Sequence, residues 1–106
     1  MMATTEIKNK FDINEIKEVV AEVAKQYGVE RVYLFGSVAR GDFGTDSDID
    51  VRIDKGELRG LFELSGFQQD ISEKLGVKVD VVTTPSLDEK FFNRIKKDEV
   101  LLYEKS

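Results

Sequence analysis

Two segments decide the fold: Arg31-Val32-Tyr33-Leu34-Phe35-Gly36-Ser37 and, after a short loop, Ser47-Asp48-Ile49-Asp50-Val51-Arg52-Ile53-Asp54. Val32 to Phe35 form an unbroken run of β-forming residues, which reads as a strand covered on both faces near the middle of a sheet. Gly36-Ser37 end it, Val38-Ala39-Arg40 follow as a short helical turn, and Gly41 to Asp46 make a loop. Residues 47–54 then alternate polar and apolar without a break. That pattern predicts a half-buried strand with Ile49, Val51 and Ile53 inward and Asp48, Asp50, Arg52 and Asp54 on the opposite face.

Working outward, Asp12 and Glu15 have capping-box spacing, and Ile13, Ile16, Val19, Val20, Val23, Ala24 and Tyr27 fall on one helical stripe that Gly28 ends. Residues 1–11 read as a loose lead-in. On the other side, a helix is expected from about Leu58 to Leu75, stopped by Gly76, with Leu61, Leu64, Phe67, Ile71 and Leu75 sharing a face. Leu58 and Phe62 pair at i,i+4 off that face, and read equally as a protein-binding surface or as packing under the Lys55-Gly56 turn. Val77, Val79 and Val81 alternate with Lys78 and Asp80, a second half-buried strand that ends before Pro85. A helix from about Leu87 to Lys97 (Phe91, Phe92 and Ile95 apolar) and a short strand, Val100 to Tyr103, complete the pattern. The order predicts a single α/β (α+β) domain over residues 1–106, a mixed four-stranded sheet flanked by helices.

Composition narrows the chemistry. The 106 residues include no His, Cys or Trp, and 16 Lys+Arg against 21 Asp+Glu give a net charge of −5. Disulfides, thiolate zinc sites and Cys or His catalysis are excluded, leaving carboxylates, hydroxyls, Lys, Arg or a hard cation held by oxygen. The acidic balance argues against a broad nucleic-acid-binding face. No apolar run is long enough for a membrane span, so a cytoplasmic location is expected.

Asp48 and Asp50 leave one strand face with Cα atoms roughly 7 Å apart. Side by side, two anions repel, and Mg²⁺ resolves that conflict by taking one or two carboxylates together with substrate phosphate oxygens. Taken alone, the pair reads more simply as a solvated polar face with Arg52 partly compensating, since Asp-x-Asp arises often by chance. Asp80, on the polar side of its own strand, completes a three-carboxylate cluster if the two strands pair. Gly36-Ser37 allow close approach of phosphate to backbone N–H groups, or form an ordinary turn; Arg40 contacts phosphate, or is a solvated surface residue.

The order of these pieces is more specific than any one of them. Gly36-Ser37-Val38-Ala39-Arg40-Gly41 followed by Ser47-Asp48-Ile49-Asp50-Val51 resembles the G-S-x-x-R-G…S-D-x-D-L/V signature of the minimal nucleotidyltransferases, in the DNA polymerase β-like superfamily, and Asp80 resembles that family's third acidic position. Two departures are small: Val51 replaces the commoner Leu, and Asp98-Glu99 stands where Glu-Gly is frequent. The resemblance implies a polymerase β-like palm fold that binds a nucleoside triphosphate, ATP for the closest functional parallel, with one or two Mg²⁺ ions. Carried over by position, Asp48, Asp50 and Asp80 are the metal-binding and catalytic acids, while Gly36, Ser37, Arg40 and Ser47 hold the nucleotide. It further implies a HEPN-domain toxin as partner, AMP transfer to a toxin tyrosine, and an antitoxin role within a homo-dimer or hetero-oligomer. A purely binding antitoxin, or transfer to a small molecule, are the alternatives.

Overall fold

The computed structural model describes residues 13–36, 38–39 and 48–105. Helix α1 (Ile13–Tyr27) leads into strand β1 (Arg31–Phe35), and β2 (Ile49–Asp54), α2 (Gly60–Leu75), β3 (Val79–Thr83), a 3₁₀ turn (Thr84–Ser86), α3 (Glu89–Ile95) and β4 (Val100–Glu104) follow. The four strands form one sheet in the order β3-β2-β1-β4, with β1 antiparallel to both β2 and β4, and β2 parallel to β3. The predicted mixed sheet is present, and the apolar β1 run lies inside it. The expected Asp12 cap, the lead-in and the start of β2 at Ser47 lie outside the described residues.

Strand parity divides the sheet into two faces. Val32 and Leu34 of β1, Ile49, Val51 and Ile53 of β2, and Val79 of β3 are buried with Ile16, Val20, Val23 and Ala24 of α1 and Phe67 and Ile71 of α2. This is the main core, and each such side chain contributes roughly 1.5–3 kcal/mol by leaving water. Tyr27 closes the seam between the helices: its ring meets Phe67 edge-on at 5.9 Å, and its hydroxyl donates to Asp70 Oδ2 at 2.8 Å. Gly66 makes that contact possible, because a Cβ there would stand 2.7 Å from the Tyr27 hydroxyl.

The start of α2 differs from expectation. The Leu58 N–H donates to the Lys55 carbonyl in a tight turn, and the Arg59 N–H donates to the Glu63 carboxylate, so the helix begins at Gly60. Leu58 therefore precedes the helix and is only 3% exposed, packed in the core beneath the turn. Leu61, expected on the core stripe, is 80% exposed, and Phe62 is 95% exposed. The first turn of α2 is exposed, and the stripe packs against the core only from Leu64 onward. Helix α3, shorter than expected, crosses the second face of the sheet, where Phe91 meets Phe35 edge-on at 6.0 Å. Among the described residues no helix is long and apolar enough to cross a membrane.

Candidate functional site

Asp50 and Asp80, two of the predicted acids, lie on the second sheet face. Register places Asp50 opposite Phe35 on one side and opposite Asp80 on the other. Neighbouring strands lie about 4.7–4.9 Å apart, so Asp50 and Asp80 are side by side on one face. Asp48, one residue before β2, is exposed, whereas Asp50 and Asp80 are half-buried.

Gly36 bends the chain at the end of β1 with φ +84°, and a Cβ at that position would stand 2.6 Å from Asp50 Oδ2. Any other residue would be strained by its backbone conformation and would push the carboxylate aside. Glycine thus brings the main chain directly against the Asp50 carboxylate. Ser37, Arg40 and Ser47, the other expected nucleotide-holding residues, lie outside the described residues.

The electrostatics of Asp50 follow from this packing. Burial is the main cause that raises its carboxyl above the usual carboxylate range; the charges of Asp80 and then Asp48 push it further up, and Lys78 pulls it back. The charges of Asp48 and Asp80 thus both bear on Asp50. Oxygen donors of this kind suit a hard cation such as Mg²⁺, which would relieve the repulsion that burial intensifies. Among the described residues no three acidic side chains stand together as a finished metal cage.

Arg52 departs from expectation. It is 5% exposed, not part of a solvated face. Its Nε donates to Glu99 Oε2 at 2.5 Å and its second guanidinium N–H group to Glu99 Oε1 at 2.8 Å, a bidentate pair. The third arm donates to Thr84 Oγ1 at 2.7 Å, and the guanidinium lies 4.1 Å from the Tyr33 ring centre and 4.8 Å from that of Phe92. Its charge is committed to Glu99 and does not compensate Asp48 and Asp50; the cation acting on Asp50 is Lys78. Lys78 precedes β3, and its carbonyl accepts the Ile49 N–H at 3.0 Å, which sets it across from Asp48.

Residues 14–106 match the polymerase beta nucleotidyltransferase family model, and the chain belongs to that family. A Methanocaldococcus jannaschii relative, whose name as a protein adenylyltransferase is provisional, is 36% identical over 84% of this chain and 96% of its own length. The protein adenylyltransferase MntA of Thermococcus cleftensis is 30% identical over 71% of this chain and 80% of its own. A solved structure described provisionally as a minimal nucleotidyltransferase superposes with TM-score 0.74 and 29% identity, covering 85% of this chain and 95% of that one. A chain from a complex of tri-AMPylated Shewanella oneidensis HEPN toxin with an MNT antitoxin shares the fold, with TM-score 0.68 and 16% identity over 89% of this chain and 74% of that one.

Proposed function

We propose that the chain is a Mg²⁺-dependent nucleotidyltransferase that moves AMP from ATP to a hydroxyl, a tyrosine in this reading, of a HEPN-domain toxin in the cytoplasm, and so acts as its antitoxin. The observation that carries the proposal is the placement of Asp50 between the Gly36 bend and Asp80, on one sheet face with its ionisation opposed by both neighbouring acids. The nucleotidyltransferase family, the adenylyltransferase names of the relatives and the AMPylated toxin in the Shewanella complex support the substrate and partner.

In this mechanism Asp48 and Asp50 would hold one or two Mg²⁺ ions, with Asp80 contributing to a second. Bound Mg²⁺ supplies neutralisation of phosphate charge and a template for in-line displacement. Gly36 would hold the triphosphate through the backbone at the bend, and the family resemblance assigns Ser37, Arg40 and Ser47 to the same nucleotide. Asp80, on the side away from Gly36, receives the proton of the acceptor hydroxyl. The acceptor oxygen bonds to the α-phosphorus, the bond from that phosphorus to the bridging oxygen breaks, and pyrophosphate leaves. Such transfer asks the protein for positioning and charge stabilisation, which a site without His can provide.

Incubation of the purified chain and its neighbouring-gene toxin with α-labelled ATP tests the proposal. Asp48→Asn and Asp50→Asn should each cut labelling by at least ~10²-fold, since even loss of a group behind a metal ligand costs 10–100-fold. Undiminished labelling by either variant rejects the assignment. The exposed Leu61 and Phe62 favour a second reading, neutralisation of the partner by binding alone. Growth rescue from the toxin by the Asp48/Asp50 double variant would favour it, and loss of rescue would favour catalysis.

A further inference from the structure

A small cavity of about 190 Å³ opens beside the acids, lined by Phe35, Gly36, Phe91, Arg94, Ile95 and Asp98. Two of these residues tie it to the site: Phe35 is the β1 partner of Asp50, and Gly36 packs against the Asp50 carboxylate. We propose that this cavity, between α3 and the Gly36 bend, is the subsite for the nucleobase of the nucleoside triphosphate, with Phe91 as its stacking surface. The inference deepens the nucleotidyl-transfer reading and rests on it.

Size comes first. Pockets that enclose a whole drug-sized ligand run from about 300 to 1,000 Å³, so this one takes a single flat group and leaves the rest of the ligand outside. Its chemistry is that of a base. Phe91 is still 36% exposed after its edge-on contact with Phe35, leaving part of an aromatic ring open. Arg94 and Asp98 add a cationic donor and an anionic acceptor for the polar edge of a base. Position separates nucleotide from acceptor: the cavity lies on the Gly36 side of Asp50, and Asp80 lies on the other. An in-line displacement sets the acceptor opposite the departing pyrophosphate, so with the triphosphate at Gly36 the acceptor comes from the Asp80 side; Gly36 also lines the cavity, which puts the base of the same nucleotide within its reach.

The test uses the full chain with Mg²⁺ and two probes, ATP and inorganic tripolyphosphate. Phe91→Ala should weaken ATP binding about tenfold, the loss of one base–aromatic stack, and leave tripolyphosphate binding unchanged. The chain has no Trp, so Phe91→Trp introduces a lone fluorophore at the subsite. ATP should quench it and tripolyphosphate should not, which decides the matter even if Phe91→Ala fails to fold. Unaltered ATP affinity in Phe91→Ala, equal loss of both probes, or ATP binding without quenching would each overturn the subsite alone. No ATP binding by the unaltered chain would overturn the transferase reading and the subsite with it.

Discussion

Asp50 and Arg52 are two residues apart on one strand and share one sheet face, yet their surroundings are opposite. Arg52 is nearly fully buried and every arm is engaged, by Glu99, by Thr84 and by the rings of Tyr33 and Phe92. Asp50 is half-buried against the Gly36 main chain, with Asp80 as its strand partner and Asp48 nearby, and among the described residues only Lys78 acts in its favour. One charge is satisfied by the fold; the other is left in conflict. Structural charges are paired wherever burial makes them costly. A conflict kept beside a satisfied pair, one β-repeat away, is the feature that the proposed cation would resolve.

The largest effect should come from breaking the satisfied member. Glu99→Ala leaves the Arg52 guanidinium buried without its bidentate acceptor, and removing one partner of a buried pair costs about 3–5 kcal/mol. Urea unfolding of the variant should show that loss. A change below ~1 kcal/mol would mean that the pair resembles a surface ion pair, and the contrast with Asp50 would collapse.

The opposite sign is expected at Asp50. Asp50→Asn removes a charge that burial and two neighbouring acids oppose, so it should stabilise the chain in EDTA by roughly 0.5–2 kcal/mol while abolishing transfer, a trade between stability and activity. Added Mg²⁺ should raise the melting temperature of the unaltered chain and not that of the variant, because only a ligand of the folded state stabilises by mass action. Destabilisation of Asp50→Asn in EDTA would show Asp50 to be a structural residue.

These two residues also show how far sequence alone reaches. Alternation over residues 47–54 places Asp48 and Asp50 on one face, and the same argument over 77–82 places Asp80; the parallel pairing of β2 with β3 brings Asp50 and Asp80 together. The spacing of the Gly36 bend from the acids completes a recognisable order. Arg52 is not placed by the pattern, because parity names a face and not what covers it. Its cover comes from α3 and from Glu99, 47 residues away in the chain, and no local pattern ties them to β2. Leu61 falls off the core stripe for a similar reason: the turn hydrogen bond from Leu58 to Lys55 delays the helix, and helical spacing is meaningful only after the start is known, whereas Leu58 packs under the turn, one of its two expected places.

The smallest effect, and the sharpest, concerns pH. A carboxyl raised in the folded state binds its proton more tightly there than in the unfolded chain. The folded state therefore holds more protons in the window between the ordinary carboxylate range and the raised Asp50 value, and stability falls as pH rises through it. In EDTA the unaltered chain should lose stability across that window, and Asp50→Asn should lose that component. Lys78→Gln removes a cation that offsets the neighbouring acids, so the window should extend upward and stability above it should fall by less than ~1 kcal/mol, as expected for an exposed charge. Titration of Asp50 by carbon-13 NMR reads the shift directly. An upward move confirms that Lys78 tempers the acids across the strand, whereas an unmoved titration would mean that Lys78 is screened by solvent and that burial and the two acids alone set the ionisation of Asp50.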